Sequence, residues 1–255
     1  MKFTRHGFWE MLIGTVALLA LAAGAGWFGL WWLALIVCLP VLVWLFAFFR
    51  DPERPIPDHP EQATGRASYV SPADGKVSDV VEFDEDPVIH EASVRIGIFL
   101  SVFNVHVNRS PCDGRVREVR YKKGKFINAM DHNTASEHNE SNTVVLEDAN
   151  RDPVAVVKQI VGLIARRIIC TKAEGDAVSR GERIGMIKFG SRTELTIPKR
   201  LKPKILVEPG QKVRGGADVL AEVDRPDIGG GDTSAEAAPA VDDPELEPAL
   251  RPTPT

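Results

Sequence analysis

Cysteine is scarce and badly spaced for cross-linking. The 255 residues hold three, Cys38, Cys112 and Cys170, an odd number, far apart and without a Cys-x-x-Cys pair. That argues against a disulfide scaffold or a zinc site and suits a reducing compartment. Basic runs are lacking too. Net charge is −4, but residues 224–255 carry eight of the 35 acidic residues and only two of the 31 basic ones. The remainder is nearly balanced, which gives no footing for nucleic acid. Behind the N-terminal region no long stretch repeats its apolar residues every 3.6 positions, so long helices are not expected there. The most telling absence is of charge itself: none occurs between Met11 and Phe49.

That uncharged run is nearly twice the roughly 20 apolar residues that one bilayer span needs. Gly24, Gly26 and Gly29 cluster near its middle. The pattern predicts two helices, about 9–26 and about 29–49, with Pro40 tolerated in the second. It is too long for a signal peptide, and no small-residue cleavage site closes it. Lys2 and Arg5 flank one end, Arg50 and Arg54 the other. The positive-inside rule then places both ends, and all that follows, on the cytoplasmic side of the cell's inner membrane. A hairpin inserted from one side without spanning stays open as an alternative.

Residues 1–49 therefore read as an anchor and 50–66 as a Pro-rich linker. From 67 to 223 hydrophobic residues alternate or form short β-branched runs: Val77–Val81, Val94–Val102, Val116–Tyr121, Thr143–Leu146, Val154–Ile169 and Ile184–Ile187. Phe126–Asn142 is polar enough for a loop or short helix. The fold class is mainly β, a compact barrel- or sandwich-like domain behind an α-helical membrane hairpin. Two internal echoes support it. Asp74-Gly75-Lys76-Val77 returns as Asp113-Gly114-Arg115-Val116, and Gly175-Asp176-Ala177-Val178 as Gly210-Gln211-Lys212-Val213. The tail, 224–255, is acidic, rich in Ala and Pro and poor in large apolar residues, so disorder is expected.

Between two β-patterned runs lies Phe189-Gly190-Ser191-Arg192-Thr193. A Gly-Ser pair can simply make a tight turn. It can also be a self-cleaving bond, in which the Ser191 hydroxyl attacks the Gly190 carbonyl, the amide becomes an ester, and β-elimination leaves a pyruvoyl group at the old Ser191. Three other stretches stand out beside it: Ser71-Pro72-Ala73-Asp74-Gly75, Asn104-Val105-His106-Val107-Asn108-Arg109, and the Phe48-Phe49-Arg50-Asp51-Pro52-Glu53-Arg54 junction.

Together these four motifs, in their order along the chain, resemble the phosphatidylserine decarboxylase proenzymes of the compact, archaeal-type branch, over roughly residues 40–222. The resemblance implies cleavage between Gly190 and Ser191 into a β chain, 1–190, and an α chain, 191–255, that stay together as a heterodimer. It implies a pyruvoyl cofactor derived from Ser191, which holds the substrate amine as a Schiff base and draws electrons as CO₂ leaves. No metal and no PLP are implied. The partners would be phosphatidylserine and anionic membrane lipid, with higher oligomers left open and no nucleic acid.

Ser191, His106 and Asp74 are the implied catalytic residues. Longer family members carry a second histidine where this chain has Arg109, so their Asp–His–Ser relay does not transfer whole. His106 is expected to govern decarboxylation more than self-cleavage, because an imidazole near its usual pKa can donate a proton at neutral pH. Arg109, Asn128 and Arg192 are candidates for substrate binding, with Glu137, Arg166 and Arg167 weaker ones; His132 and His138 read as solvated. Two other readings compete. One is a non-catalytic membrane-anchored adaptor built on a barrel-sandwich domain, which leaves Phe189–Arg192 and His106 unexplained. The other is the same chemistry on a different serine-headed lipid, such as archaetidylserine.

Overall fold

The uncharged run folds as α1 (Phe8–Trp27) and α2 (Trp31–Phe48), each long and apolar enough to cross a bilayer. Pro40 lies inside α2, as expected. The outer ends of the pair meet. β1 (Lys2–Phe3) runs antiparallel to β2 (Arg50–Asp51), with Lys2 opposite Asp51 and Phe3 opposite Arg50. A hairpin closed in this way holds its basic flanks together on the side where the body lies. The computed structural model describes residues 2–57, 65–129, 132–163, 167–188 and 190–224. Phe189, Arg166 and the tail beyond Asp224 lie outside these residues.

The rest is mainly β, as the alternating pattern predicts. β3 (Arg66–Val70), β14 (Lys204–Ile205) and β16 (Val219–Asp224) form one small sheet; β6 (Val107–Arg109), β10 (Arg167–Cys170) and β12 (Arg183–Lys188) form another. The main sheet curls into a half-barrel of eight strands. In spatial order these are β11 (Ala177–Val178), β7 (Gly114–Lys122), β8 (Ser141–Glu147), β9 (Pro153–Val161), β13 (Ser191–Pro198), β5 (Ser93–Leu100), β4 (Gly75–Phe83) and β15 (Lys212–Val213). All its neighbours are antiparallel. A short helix, α3 (His132–His138), occupies the polar stretch after β7. The run Val154–Ile169 does not make one strand. β9 ends at Val161, and β10 belongs to a different sheet.

The sequence echoes are structural repeats. β11 pairs with β7 at Gly114 and Arg115, and β15 pairs with β4 at Gly75 and Lys76, in the same register. Ser71 donates its hydroxyl to Ala73 O at 2.7 Å, and Ser110 does the same to Cys112 O at 2.7 Å. Asp74 accepts the Gly215 amide at 2.8 Å, where Asp113 accepts the Arg180 amide at 2.8 Å. The two Asp-Gly turns thus do the same mechanical work at the two edge pairings of the sheet.

The inward faces bury one apolar core, to which β5 gives Ile96, Ile98 and Leu100, β8 Val144 and Leu146, β9 Ala155 and Val157, and β13 Leu195 and Ile197. Antiparallel pairing brings the C-terminal ends of β5, β7 and β9 and the N-terminal ends of β4, β8 and β13 to one end of this core. The Gly190–Ser191 bond is at that end.

Candidate active site

At the Gly190–Ser191 bond the chain passes from β12 in the small sheet to β13 in the large one. It is a corner between sheets and not a hairpin turn, and β13 begins at Ser191 itself. Gly190 has φ +55°, a left-handed conformation that costs other L-residues about 1–2 kcal/mol. Its carbonyl is wedged against a second glycine. A Cβ placed on Gly162 would lie 2.4 Å from Gly190 O, a backbone atom that cannot swing aside. Ser191 is fully buried between Val161 and Leu100, and its hydroxyl has no hydrogen-bond partner among the described residues. A buried polar group left unpaired in this way costs about 1–3 kcal/mol and calls for an explanation.

Beneath Ser191 the inward face changes from apolar to polar at a single level. Asn142, Gln159 and Thr193 stand opposite one another on β8, β9 and β13, one step from the aliphatic core. Asn108 reaches them from β6, donating to Thr193 Oγ1 at 3.0 Å and accepting from Gln159 Nε2 at 2.9 Å. Asn142 donates to Gln159 Oε1 at 3.1 Å. These amides are buried and mutually satisfied, and such networks hold a site rigid only when every member finds its partner. They lock the small sheet to the large one directly behind the Gly190–Ser191 bond.

His106 is fully buried, one residue before β6. Its Nδ1 lies 2.9 Å from Asn104 O, which sets this nitrogen as the donor and leaves Nε2 as the acceptor. Nε2 receives the Gly190 amide at 3.3 Å. The other face of the ring meets the last residue of α2, with the Phe48 and His106 ring centroids 4.3 Å apart. Burial pushes the imidazole pKa down to about 4; the nearby Arg50 adds to that, while the bond to Asn104 O and the charge of Asp74 oppose it. His106 is therefore neutral at pH 7, with its Nε2 lone pair taken up by the Gly190 N–H, one residue before Ser191. The sequence reading took an ordinary pKa for this group; burial changes it, and the end of α2 contributes to that burial.

Asp74 does not touch His106. Its carboxylate is held by the Arg54 guanidinium through two hydrogen bonds, one of 2.7 Å, and by the Gly215 amide. Arg109 is also occupied, donating to Asp51 at 3.0 Å, Gly181 O at 2.9 Å and Pro52 O at 3.2 Å. Both groups tie the linker to the body. Asn128 is exposed on the loop between β7 and α3. Glu137 and His138 are exposed on α3, and Arg167 is exposed at the start of β10.

Arg192 points away from Ser191, as alternation along a strand requires. It is wholly buried, with Nη2 2.7 Å from Asp79 Oδ2 and Nε 2.8 Å from Glu194 Oε1. Removing one partner of a buried ion pair typically costs about 3–5 kcal/mol. Arg192→Met is expected to destabilise the protein by about that much, read as a lower melting temperature in detergent. A binding role alone would instead raise KM and leave the melting temperature unchanged.

The sequence reading did not single out Asn108, Gln159, Asn142, Thr193, Gly162 or Phe48. A signal existed for Asn108, because His106 and Asn108 alternate with Val105 and Val107 in a strand whose polar side faces inward. Thr193 and Phe48 lay within quoted motifs without a role, and nothing local marks Asn142, Gln159 or Gly162. Among the described residues no group of three or more His, Cys, Asp and Glu is arranged to hold a metal.

Comparison with known proteins bears on this site. The family model described as phosphatidylserine decarboxylase matches residues 42–221. A protein of Rhodopirellula baltica named phosphatidylserine decarboxylase proenzyme is 45% identical over 222 residues, 87% of this chain and 88% of the relative. Proteins of the same name from Cupriavidus pinatubonensis and Carboxydothermus hydrogenoformans are 39% and 40% identical, over 85% and 86% of this chain and 93% and 95% of their own lengths.

Proposed function

The chain belongs to the phosphatidylserine decarboxylase family and is an enzyme that decarboxylates phosphatidylserine; from that premise we propose that its cofactor is cut from its own backbone at Gly190–Ser191. The observation that carries this reading is the buried, unpartnered Ser191 hydroxyl beside a strained Gly190.

In the intact chain neutral His106 holds the Gly190 N–H on Nε2, and it takes the Ser191 proton there once the unpartnered hydroxyl turns to that nitrogen in place of the amide. Ser191 Oγ bonds to the Gly190 carbonyl carbon while the carbonyl oxygen is pressed against Gly162. The C–N bond breaks as the Ser191 nitrogen takes the proton back from His106, and an ester forms. Loss of the Ser191 Cα proton then breaks the Oγ–Cβ bond, which leaves Gly190 as a carboxylate. Water releases the remaining nitrogen as ammonia, and the new N-terminus is a pyruvoyl group. When present, that group supplies an electron sink next to the carboxyl to be lost. Asn108 braces Thr193 behind the bond, and Phe48 covers the His106 ring. The pieces 1–190 and 191–255 stay together because β13 is clamped between β5 and β9.

Residues 1–49 then act as the membrane anchor, 50–66 as the linker and 67–223 as the catalytic domain. The paired hairpin ends, flanked by Lys2, Arg5, Arg50 and Arg54, favour the cytoplasmic side of the inner membrane. The test is the intact mass of the purified protein together with borohydride labelling. Two pieces are expected, the smaller one without a free N-terminal amine and reactive to borohydride. A single uncut chain of 28.0 kDa that still decarboxylates would sink the proposal.

A further inference from the structure

The two ends of the half-barrel differ in chemistry. At the end holding Gly190–Ser191, three loop tips expose large apolar side chains: Phe103 after β5, Phe126 after β7 and Leu163 after β9, with 71%, 39% and 64% of their surfaces open. Lys123 and Lys125 are exposed beside Phe126. The anchor joins at this same end, since Arg50 donates to Phe103 O at 2.9 Å and Phe48 stacks on His106. The opposite end exposes no large hydrophobic side chain on its described loops. It exposes Asp84 and Glu85 between β4 and β5 and Asp152 with Arg151 between β8 and β9, while Asp86 and Asp148 are buried in the same turns. Lys199 and Arg200, also there, are paired with Glu82 and Glu91.

Single exposed apolar residues need no explanation, but a cluster at loop tips continuous with an apolar anchor does. We propose that Phe103, Phe126 and Leu163 dip into the bilayer surface, so that the body stands on the membrane on its catalytic end and draws the lipid headgroup in from below. The occupant of this face is lipid. The hairpin that leads into it is already long and apolar enough for the bilayer, and the nearby lysines suit anionic headgroups while the acidic far end is repelled by them. The proposal rests on the membrane reading above and adds the orientation of the body to it. The hairpin holds the protein at the membrane, whereas the three loop tips set the distance between the site and the headgroup layer.

The experiment uses the full chain with Phe103→Asp and Leu163→Asp combined. Two substrates are compared: phosphatidylserine in phosphatidylcholine vesicles, and a short-chain phosphatidylserine dissolved as monomers. Burying one such side chain is equivalent to about tenfold or more in affinity. kcat/KM on vesicles should therefore fall at least about tenfold, with the monomeric substrate turned over as by the unaltered chain and scission unchanged. Phe103→Leu with Leu163→Met should restore the vesicle rate. Equal losses on both substrates would mean that these side chains shape the pocket, and the inference would be wrong. Unchanged rates on both would also overturn it. If the unaltered protein is recovered in the soluble fraction without detergent, the anchor reading fails first and this one with it.

Discussion

Ser191→Ala should purify as one uncut chain of 28.0 kDa with no measurable decarboxylase activity. In the proposed mechanism the hydroxyl is the attacking group and also the source of the cofactor, so its loss removes both steps together. The substitution is mild for the fold. Ser191 Oγ is buried and makes no hydrogen bond among the described residues, so replacing it by hydrogen strands no partner. The Ser191→Ala chain should melt at or above the temperature of an uncut Ser191 chain, which separates loss of chemistry from loss of structure. Scission of the alanine chain at this bond would mean that another protein cuts it.

His106→Ala should slow scission by about 10²–10⁴-fold, the usual contribution of a general base. Among the described residues no other histidine approaches the bond, and Asp74 and Arg109 are engaged with Arg54 and Asp51. Activity should fall at least as far, because the cofactor forms slowly and the imidazole is missing from the finished pocket. Scoring scission on gels separately from CO₂ release divides the two roles. Unchanged scission with lost turnover would confine His106 to decarboxylation, the role expected from sequence.

The sign of a second readout follows from burial. An unfolded chain protonates His106 near pH 6.5, but the folded chain does so only near about pH 4. Between these values the unfolded state holds more protons. Stability is therefore full above pH 6.5 and is lost as the pH falls towards 4, by up to about 3 kcal/mol. His106→Gln should remove this part of the acid sensitivity while keeping the ring's volume partly filled.

Much of this protein is legible in one dimension. An uncharged stretch nearly two spans long can only seek an apolar medium, and period-2 alternation can only give strands, because both follow from neighbours along the chain. The repeated Asp-Gly turns were visible as an echo, and their equivalence shows Asp74 to be a structural turn as well as a motif residue. The likeness of four motifs to a decarboxylase family pointed to Gly190–Ser191 and to His106. What those residues experience was decided elsewhere. Phe48, 58 positions before His106 in sequence, covers one face of the imidazole and adds to the burial that lowers its pKa. Gly162, just past the end of β9, leaves the Gly190 carbonyl the room that any side chain would fill, and Asp79 and Glu194 turn Arg192 into a buried ion pair. Protonation state, strain and charge pairing depend on which groups meet at a few ångströms. That is set by strand register and sheet curvature across the whole chain, so only the tertiary structure could supply it.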